Sequence, residues 1–322
     1  MEWLTGIGTG FVAEMKFLFL NENSRLWWAW ILITYPIVGM LVGFIDMRKA
    51  NQPITLTGLF KFVFPTEIYK SRSFRNDILI VGALYLFYAA FLYLLPSLEA
   101  KKILVKMIGI FNSDAVNTSF IGQYKDTATA GIGMHLFFTF IAILLYDFGF
   151  TFLHFLYHRI PFLWNLHKVH HSAEHLTPLT VARFHIGEYI FQKISEGVML
   201  GTIFGIFFFI LPTSIDLIKV AGLSVFGIIF SSIGVFRHSH IWISYGPLNY
   251  IFCSPAMHQI HHSTEARHID KNFSQIFSFW DYLLGSLYVP KQKETFPVGL
   301  AGEKNWNDGS WVRFLGIHLK KS

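Results

Sequence analysis

The chain has 322 residues and a formal net charge of +6, and 53% of its residues are hydrophobic while only 14% are charged. Because an average soluble domain is about 25% charged, this composition excludes an ordinary soluble enzyme and indicates an integral membrane protein. The positive charge fits basic loops beside anionic lipid, and no nucleic-acid-binding motif is visible. The single cysteine, Cys253, excludes a disulfide framework and a CxxC metal or redox motif.

The first part of the chain, residues 1–130, is predicted to be a membrane region with two spans and their loops. The spans are expected at about 28–45 and 77–98, where apolar runs are long enough for a helix to cross the bilayer. The loop between them, 46–76, carries six basic residues and is therefore predicted to be cytoplasmic.

A third predicted span, about 131–153, returns to the cytoplasm and ends directly at His154. Two further apolar runs, about 198–211 and 215–236, flank the turn sequence LPTS and are expected to form a membrane hairpin. The first of these runs is short for a span, so a tilted or re-entrant segment is an alternative. The hairpin brings the chain back at His238 to the side that it left.

These segments predict an all-α integral membrane protein with about four transmembrane helices and a cytoplasmic helical cap that holds a histidine-rich dimetal site. Residues 131–290 are expected to form the catalytic domain, with the membrane hairpin at about 198–236 inside it. A polar C-terminal tail follows at 291–322.

Three histidine motifs fall on the predicted cytoplasmic side: one HxxxH and two copies of HxxHH. On a helix, positions i, i+3 and i+4 lie on one face, so each motif can direct its imidazoles to one place. His238, which follows the predicted hairpin, is expected on the same cytoplasmic side. The candidate metal ligands are His154, His158, His167, His170, His171, His238, His258, His261 and His262.

Imidazole is largely neutral near pH 7, and neutral nitrogen ligands suit a redox iron that activates O₂. The motifs contain more histidines than one metal ion accepts, which favours two metal ions. A di-zinc membrane hydrolase or lyase is an alternative, although the HExxH pattern common in such enzymes is absent. A non-enzymatic metal-binding or transport protein is another.

The pattern resembles the fatty acid hydroxylase / sterol desaturase superfamily of membrane di-iron oxygenases over about residues 140–290. The shared features are HxxxH, a Leu-Trp pair, HxxHHS and the later segments GPLNYIFCSPAMHQIHHS and DKNFSQIFSFWDYLLGSL. The tail is most similar to alkylglycerol monooxygenase-type members. The resemblance also implies a role for Asp147, which precedes the first motif, and for His185 in an Arg-x-His pattern. A carboxylate within a span is costly unless it is paired, which favours a catalytic role for Asp147 or a role as a partner of a metal ligand. An aspartate near the interface that reaches water is the alternative.

The resemblance implies an O₂-dependent enzyme that hydroxylates or desaturates an unactivated C–H bond of a membrane lipid. Its cofactors would be two iron ions, with zinc as the alternative or substituted metal. Because no flavin, haem or iron–sulfur signature is visible, the electrons would come from a cytochrome b5-, ferredoxin- or flavoprotein-type donor. The expected location is a bacterial inner membrane or an endoplasmic reticulum. The sequence indicates no oligomeric state and assigns no role to His175, His240 or His268.

Overall fold

Helices make up most of the structure, a computed structural model, so the predicted helical class is confirmed. The model describes residues 22–94, 106, 132–210, 219–220 and 223–302. The α-helices of this part of the chain are α1 (Glu22–Lys49), α2 (Leu56–Val63), α3 (Thr66–Tyr69), α4 (Arg72–Leu94), α5 (Ile132–Arg159), α6 (Pro161–His171), α7 (Ile186–Ile210), α8 (Val225–Arg237), α9 (Pro255–His261) and α10 (Phe279–Leu284). Short 3-10 helices cover Pro178–Ala182 and Gly246–Tyr250, and β1 (Lys219–Val220) pairs antiparallel with β2 (Leu223–Ser224).

Three helices among the described residues are long and apolar enough to cross a membrane: Ala29–Lys49 within α1, all of α5, and Ile186–Phe207 within α7. Helix α8 is also apolar but shorter. Large apolar side chains such as Leu32 and Ile37 on α1 are more than half exposed, as expected for side chains that contact lipid. These helices confirm the membrane-protein class.

Helix α7 begins well before the apolar run that was predicted at 198–211, so the first arm of the hairpin is longer than the sequence indicated. The charged residues of this added segment are paired rather than solvated. Glu188 accepts a hydrogen bond from His167 at 2.6 Å, and Lys193 donates to Glu196 at 2.7 Å. Such contacts lower the cost of placing polar groups in a membrane-length helix, and Ile186–Phe207 is long enough to cross a membrane. Whether this segment is tilted or re-entrant stays a prediction.

Several predicted features lie outside the described residues. The second predicted span begins in α4, but its end beyond residue 94 is not described, and neither is the following loop apart from residue 106. The same holds for residues 1–21, the LPTS turn at 211–214 and the tail from 303 onward. The number of spans and the cytoplasmic placement of the histidines therefore stay predictions.

The chain divides into two compact units. The first comprises Met1–Asn23, Leu86–Phe150 and Tyr189–Ile229. Within it the ring of Phe138 packs against Phe204 and Phe207, with centroids 5.1 and 4.3 Å apart. This aromatic contact joins α5 to α7.

The second unit comprises Ser24–Tyr85, Thr151–Glu188 and Phe230–Ser322, and all nine predicted metal ligands belong to it. One of its cores is formed by the buried side chains of Tyr35, Val63, Val235 and Ile241. Gly39 lets α1 approach this core closely, because a Cβ atom there would lie 2.9 Å from Val63 and 3.0 Å from Ile241.

Candidate metal centre

The nine histidines predicted as ligands gather into two groups, and within each group the candidate ligand atoms lie within 4.8 Å of one another. We call these groups the five-histidine group and the four-histidine group. The five-histidine group consists of His154, His158, His167, His171 and His261. The four-histidine group consists of His170, His238, His258 and His262.

Each HxxHH motif supplies both groups. In α6 the i and i+4 residues, His167 and His171, join the five-histidine group, while the i+3 residue His170 joins the other. At the end of α9 the assignment is reversed: His258 and His262 join the four-histidine group, and the i+3 residue, His261, joins the five-histidine group. Helix α5 adds its i, i+4 pair to the five-histidine group, and the histidine after α8 completes the four-histidine group.

Hydrogen bonds behind the rings set the tautomers in the five-histidine group. His154 Nδ1 donates to the Phe273 carbonyl at 2.9 Å, and His261 Nδ1 donates to the Lys271 carbonyl at 2.8 Å. A carbonyl only accepts, so each Nδ1 carries the proton and each Nε2 offers a lone pair. The buried Nε2 atom of His261 has no hydrogen-bond partner among the described residues. The same is true of Nε2 in His167, whose Nδ1 donates to Glu188.

The ring nitrogens of the four-histidine group approach one another directly. His238 Nδ1 donates to the Gly234 carbonyl at 2.8 Å, which leaves one lone pair on its Nε2. That atom lies 3.0 Å from His170 Nε2 and 2.9 Å from His258 Nε2, and the latter lies 3.2 Å from His262 Nε2. One proton per ring cannot satisfy this set of contacts. A central cation can, because ligands about 2.0–2.1 Å from one metal ion lie about 3 Å apart.

Burial keeps these imidazoles neutral, which is the state that a metal ligand requires. Burial, followed by the charges of neighbouring imidazoles, lowers the pKa of His167, His171 and His262 well below the usual value. Burial, followed by the positive charge of Arg237, lowers the pKa of His238 to about 3. Neutral nitrogen donors with inward lone pairs fit iron or zinc, and neither group contains a carboxylate.

Neither predicted catalytic residue is a member of the two groups. Asp147 is fully buried in α5, within the first compact unit. His185 is half-buried in the second unit, and its Nδ1 accepts a hydrogen bond from the Gly187 N–H at 3.0 Å. Their catalytic roles stay predictions.

The unassigned histidines also lie outside both groups. His268 is buried, with Nδ1 2.9 Å from the Ser263 hydroxyl and Nε2 3.3 Å from Glu294. His240 Nε2 donates to the Phe62 carbonyl at 2.9 Å. His175 is half-buried.

The sequence alone did not define the roles of two buried acidic residues that support the centre. From sequence alone, Glu188 could be a solvated charge or a partner of a metal ligand; it is 1% exposed and binds His167. Asp281 was expected to bind a ligand nitrogen or to cap a helix. It instead accepts hydrogen bonds from the backbone N–H groups of Phe273 and Ser274 at 2.7 and 3.0 Å. It thereby fixes the loop whose carbonyls orient two of the histidines, and no sequence pattern signals this indirect role.

Known proteins share similarity with the part of the chain that contains the histidines. Residues 139–286 match the family model described as fatty acid hydroxylase. An ornithine lipid hydroxylase from Rhizobium tropici is 26% identical over 209 residues, which cover 61% of this chain and 58% of that protein.

Alkylglycerol monooxygenases are also similar. The protein from Caenorhabditis elegans is 27% identical over 160 residues (50% of this chain and 29% of the relative), and that from Danio rerio is 26% identical over 163 residues (49% and 33%). The chain therefore spans less than two thirds of the length of these curated relatives. No solved structure matches the chain. The segment that matches the fatty acid hydroxylase family model contains all nine histidines, and the chain is therefore similar to this family over residues 139–286, as its motifs predicted.

Proposed function

We propose that this protein is a membrane di-iron oxygenase that hydroxylates, or desaturates, an unactivated C–H bond of a lipid with O₂ and external electrons. The observation that carries the proposal is the pair of buried, all-imidazole groups within a fatty acid hydroxylase domain. The relatives named as a lipid hydroxylase and as alkylglycerol monooxygenases support a lipid substrate and an oxidoreductase activity.

The number of imidazoles favours iron over zinc. Structural zinc sites take four ligands and catalytic ones usually three, whereas the five-histidine group offers five. A metal that prefers six ligands would keep one open position in that group and two in the four-histidine group, as O₂ chemistry requires. Two bound iron ions would supply the activation of O₂ needed to oxidise an unactivated C–H bond.

The residues of the chain bind and orient the metals and exclude water. All nine rings are buried or nearly so, with His158 the most exposed member at 7% of its side chain. The hydrogen bonds from His154, His261 and His238 to backbone carbonyls hold their rings in one tautomer and one orientation. A dry, preorganised centre limits the loss of oxidant to water.

The lipid and the electron donor are proposed as partners. Helix α5 is both a membrane-length helix and the carrier of the first histidine motif, so the substrate would enter from the bilayer. A separate cytochrome b5-, ferredoxin- or flavoprotein-type donor would supply electrons on the cytoplasmic side. The basic residues of the loop at 46–76 support this orientation.

The test combines metal analysis with lipid mass spectrometry. Protein purified without chelator is expected to contain iron, and cells that express it are expected to contain a lipid that has gained one oxygen atom. A lipid that has lost two hydrogens would indicate desaturation instead. His170→Ala should abolish either product. A zinc-loaded protein whose product forms without O₂ would contradict the proposal.

A further inference from the structure

A buried ion pair links α4 to the segment that follows α6. Arg183 Nη1 lies 2.7 Å from Asp77 Oδ1, and neither side chain has exposed surface. The hydroxyls of Thr177 and Thr180 donate to the second carboxylate oxygen, Oδ2, at 3.1 and 2.9 Å. A buried pair is maintained only when its remaining donors and acceptors are satisfied, as they are here, so both side chains are held in one arrangement.

The same guanidinium holds the C-terminal end of α6. Arg183 Nε donates to the Val169 carbonyl and to the Ser172 hydroxyl, both at 3.1 Å, and Nη2 donates to that hydroxyl at 2.8 Å. The last carbonyls of a helix have no partner inside the helix, so such contacts fix where it ends and how it is rotated. Val169 and Ser172 flank His170 and His171, which belong to different histidine groups.

Further contacts join the same elements. Arg183 Nη1 also donates to the Ser73 carbonyl at 3.3 Å, and the Ser73 hydroxyl accepts from the Glu174 N–H at 3.1 Å. The ring of Phe184, next to the arginine in the chain, stacks on His170 with centroids 5.6 Å apart. The start of α4 and the end of α6 are thus tied at several points.

We propose that Asp77 and Arg183 are positioning residues of the metal centre, which hold α6 in the rotation that divides its histidines between the two groups. The ring nitrogens stand roughly 6 Å from the helix axis, so a rotation of about 20° moves them by about 2 Å, the length of a metal–nitrogen bond. The inference rests on the proposed metal centre. It adds to that centre a residue of α4, which lies outside the family segment 139–286.

The test is Asp77→Asn in the full-length protein, reconstituted anaerobically with Fe(II) and compared with wild type by iron titration and Mössbauer spectroscopy. We expect about 10-fold weaker binding in both groups, because outer partners of metal ligands typically contribute 10- to 100-fold in affinity. Both spectral components should change together, since α6 supplies both groups. The matched control is Glu294→Gln, which also converts a mostly buried, ion-paired carboxylate to an amide but lies outside the two groups.

Arg183→Lys tests whether the contacts of the arginine with α6, rather than its positive charge beside Asp77, are what the metal centre needs. Lysine keeps the positive charge near Asp77, but a single ammonium cannot replace the fork that also reaches Val169 and Ser172. We expect it to weaken iron binding as much as Asp77→Asn does. Thr180→Val, which removes one hydroxyl donor to Asp77, is a milder variant should Asp77→Asn not fold, and we expect a smaller loss of the same kind.

Several results would overturn the inference. One is wild-type iron affinity and wild-type spectra in two folded single variants. These variants are Arg183→Lys and either Asp77→Asn or, if that does not fold, Thr180→Val. Another is an equal loss of iron in Glu294→Gln, because a general loss of stability would then suffice. Wild-type protein that binds no iron would overturn this inference together with the proposed function, whereas the first two results would overturn this inference alone.

Discussion

The two histidine groups differ in what lies behind their rings, although both are built from imidazole alone. In the five-histidine group two carboxylates stand behind the ligands. Glu188 accepts from His167 at 2.6 Å, and Asp270 lies 3.4 Å from His158 Nδ1. Both carboxyl groups are thus acceptors behind rings of this group.

The four-histidine group has a cationic neighbour instead. After burial, the positive charge of Arg237 is the next largest cause that lowers the pKa of His238 and His258. The buried Nδ1 atoms of His258 and His262 have no hydrogen-bond partner within the described part of the chain.

The difference predicts that the two proposed metal sites are unequal. An acceptor behind an imidazole raises its basicity and fixes its orientation, and an anionic acceptor also stabilises the more oxidised cation. A nearby cation does the opposite. We therefore expect the five-histidine group to bind its metal more tightly and at a lower reduction potential than the four-histidine group.

The largest predicted contrast is between His170→Ala and His171→Ala, which remove neighbouring residues of α6 that belong to different groups. His170→Ala leaves three imidazoles in its group, so we expect that group to bind its metal more than about 100-fold more weakly and product formation to fall by more than about 100-fold. His171→Ala leaves four imidazoles, enough to retain a metal with an altered spectrum. Metal analysis and lipid mass spectrometry measure both effects.

This pair of variants can also refute the division into two groups. Equal loss of metal from His170→Ala and His171→Ala would mean that the nine histidines act as one cooperative site. His240→Ala is the control, because its ring binds the Phe62 carbonyl outside both groups, and it should keep the full metal content.

The next largest effect is expected for Glu188→Gln, which replaces the carboxyl acceptor of His167 by a weaker amide acceptor. Iron affinity of the five-histidine group should fall by about 10- to 100-fold, with little change in the other group. Iron titration followed by Mössbauer spectroscopy distinguishes the two. Glu196→Gln, about two turns later in α7 and paired with Lys193, is the matched control. An equal fall in both groups would contradict the proposed asymmetry.

The sequence was sufficient to predict that the nine histidines gather in one region, because helical spacing determines which rings share a face. The sequence did not predict that the histidines of each HxxHH motif are divided between the two groups. A residue turns the chain by about 100° in a helix, so His170 and His171 diverge, but their partners depend on the rotation of α6 against other elements. That rotation depends on contacts such as those of Arg183 with Val169 and Asp77, which are far apart in sequence.

The start of α7 was missed, and the role of Glu188 was left open, for a related reason. Hydropathy counts Glu188, Lys193 and Glu196 as charges that end an apolar run, whereas in the structure Lys193 and Glu196 form an ion pair and Glu188 accepts a hydrogen bond from His167. The partner of Glu188 is His167, on a different helix, and no local pattern predicts such pairing. Apolar length is thus a lower bound for a membrane helix whose charges are paired.

A smaller effect is predicted for Asp281→Asn, which acts on the five-histidine group through the loop that carries the carbonyls of Lys271 and Phe273. The amide has one acceptor oxygen instead of two, so a buried N–H of Phe273 or Ser274 loses its partner at a cost of about 1–3 kcal/mol. We expect a lower unfolding temperature in detergent and a fall in five-histidine iron affinity smaller than that of Glu188→Gln. Unchanged spectra of that group would show that the loop only stabilises the fold.

The smallest effect is predicted for Arg159→Gln, which removes the cation that binds Asp270 from the solvent side. Arg159 Nη1 lies 3.3 Å from Asp270 Oδ2, and half of the arginine side chain is exposed. Exposed ion pairs contribute about 0–1 kcal/mol, so iron affinity of the five-histidine group should rise by less than about 5-fold as more of the carboxylate charge acts on His158. Salt should screen the exposed arginine, so iron titrations of variant and wild type should converge at high ionic strength. A fall in affinity at low salt would instead mean that Arg159 holds Asp270 in place, and the carboxylate would then be a weaker part of the asymmetry than Glu188.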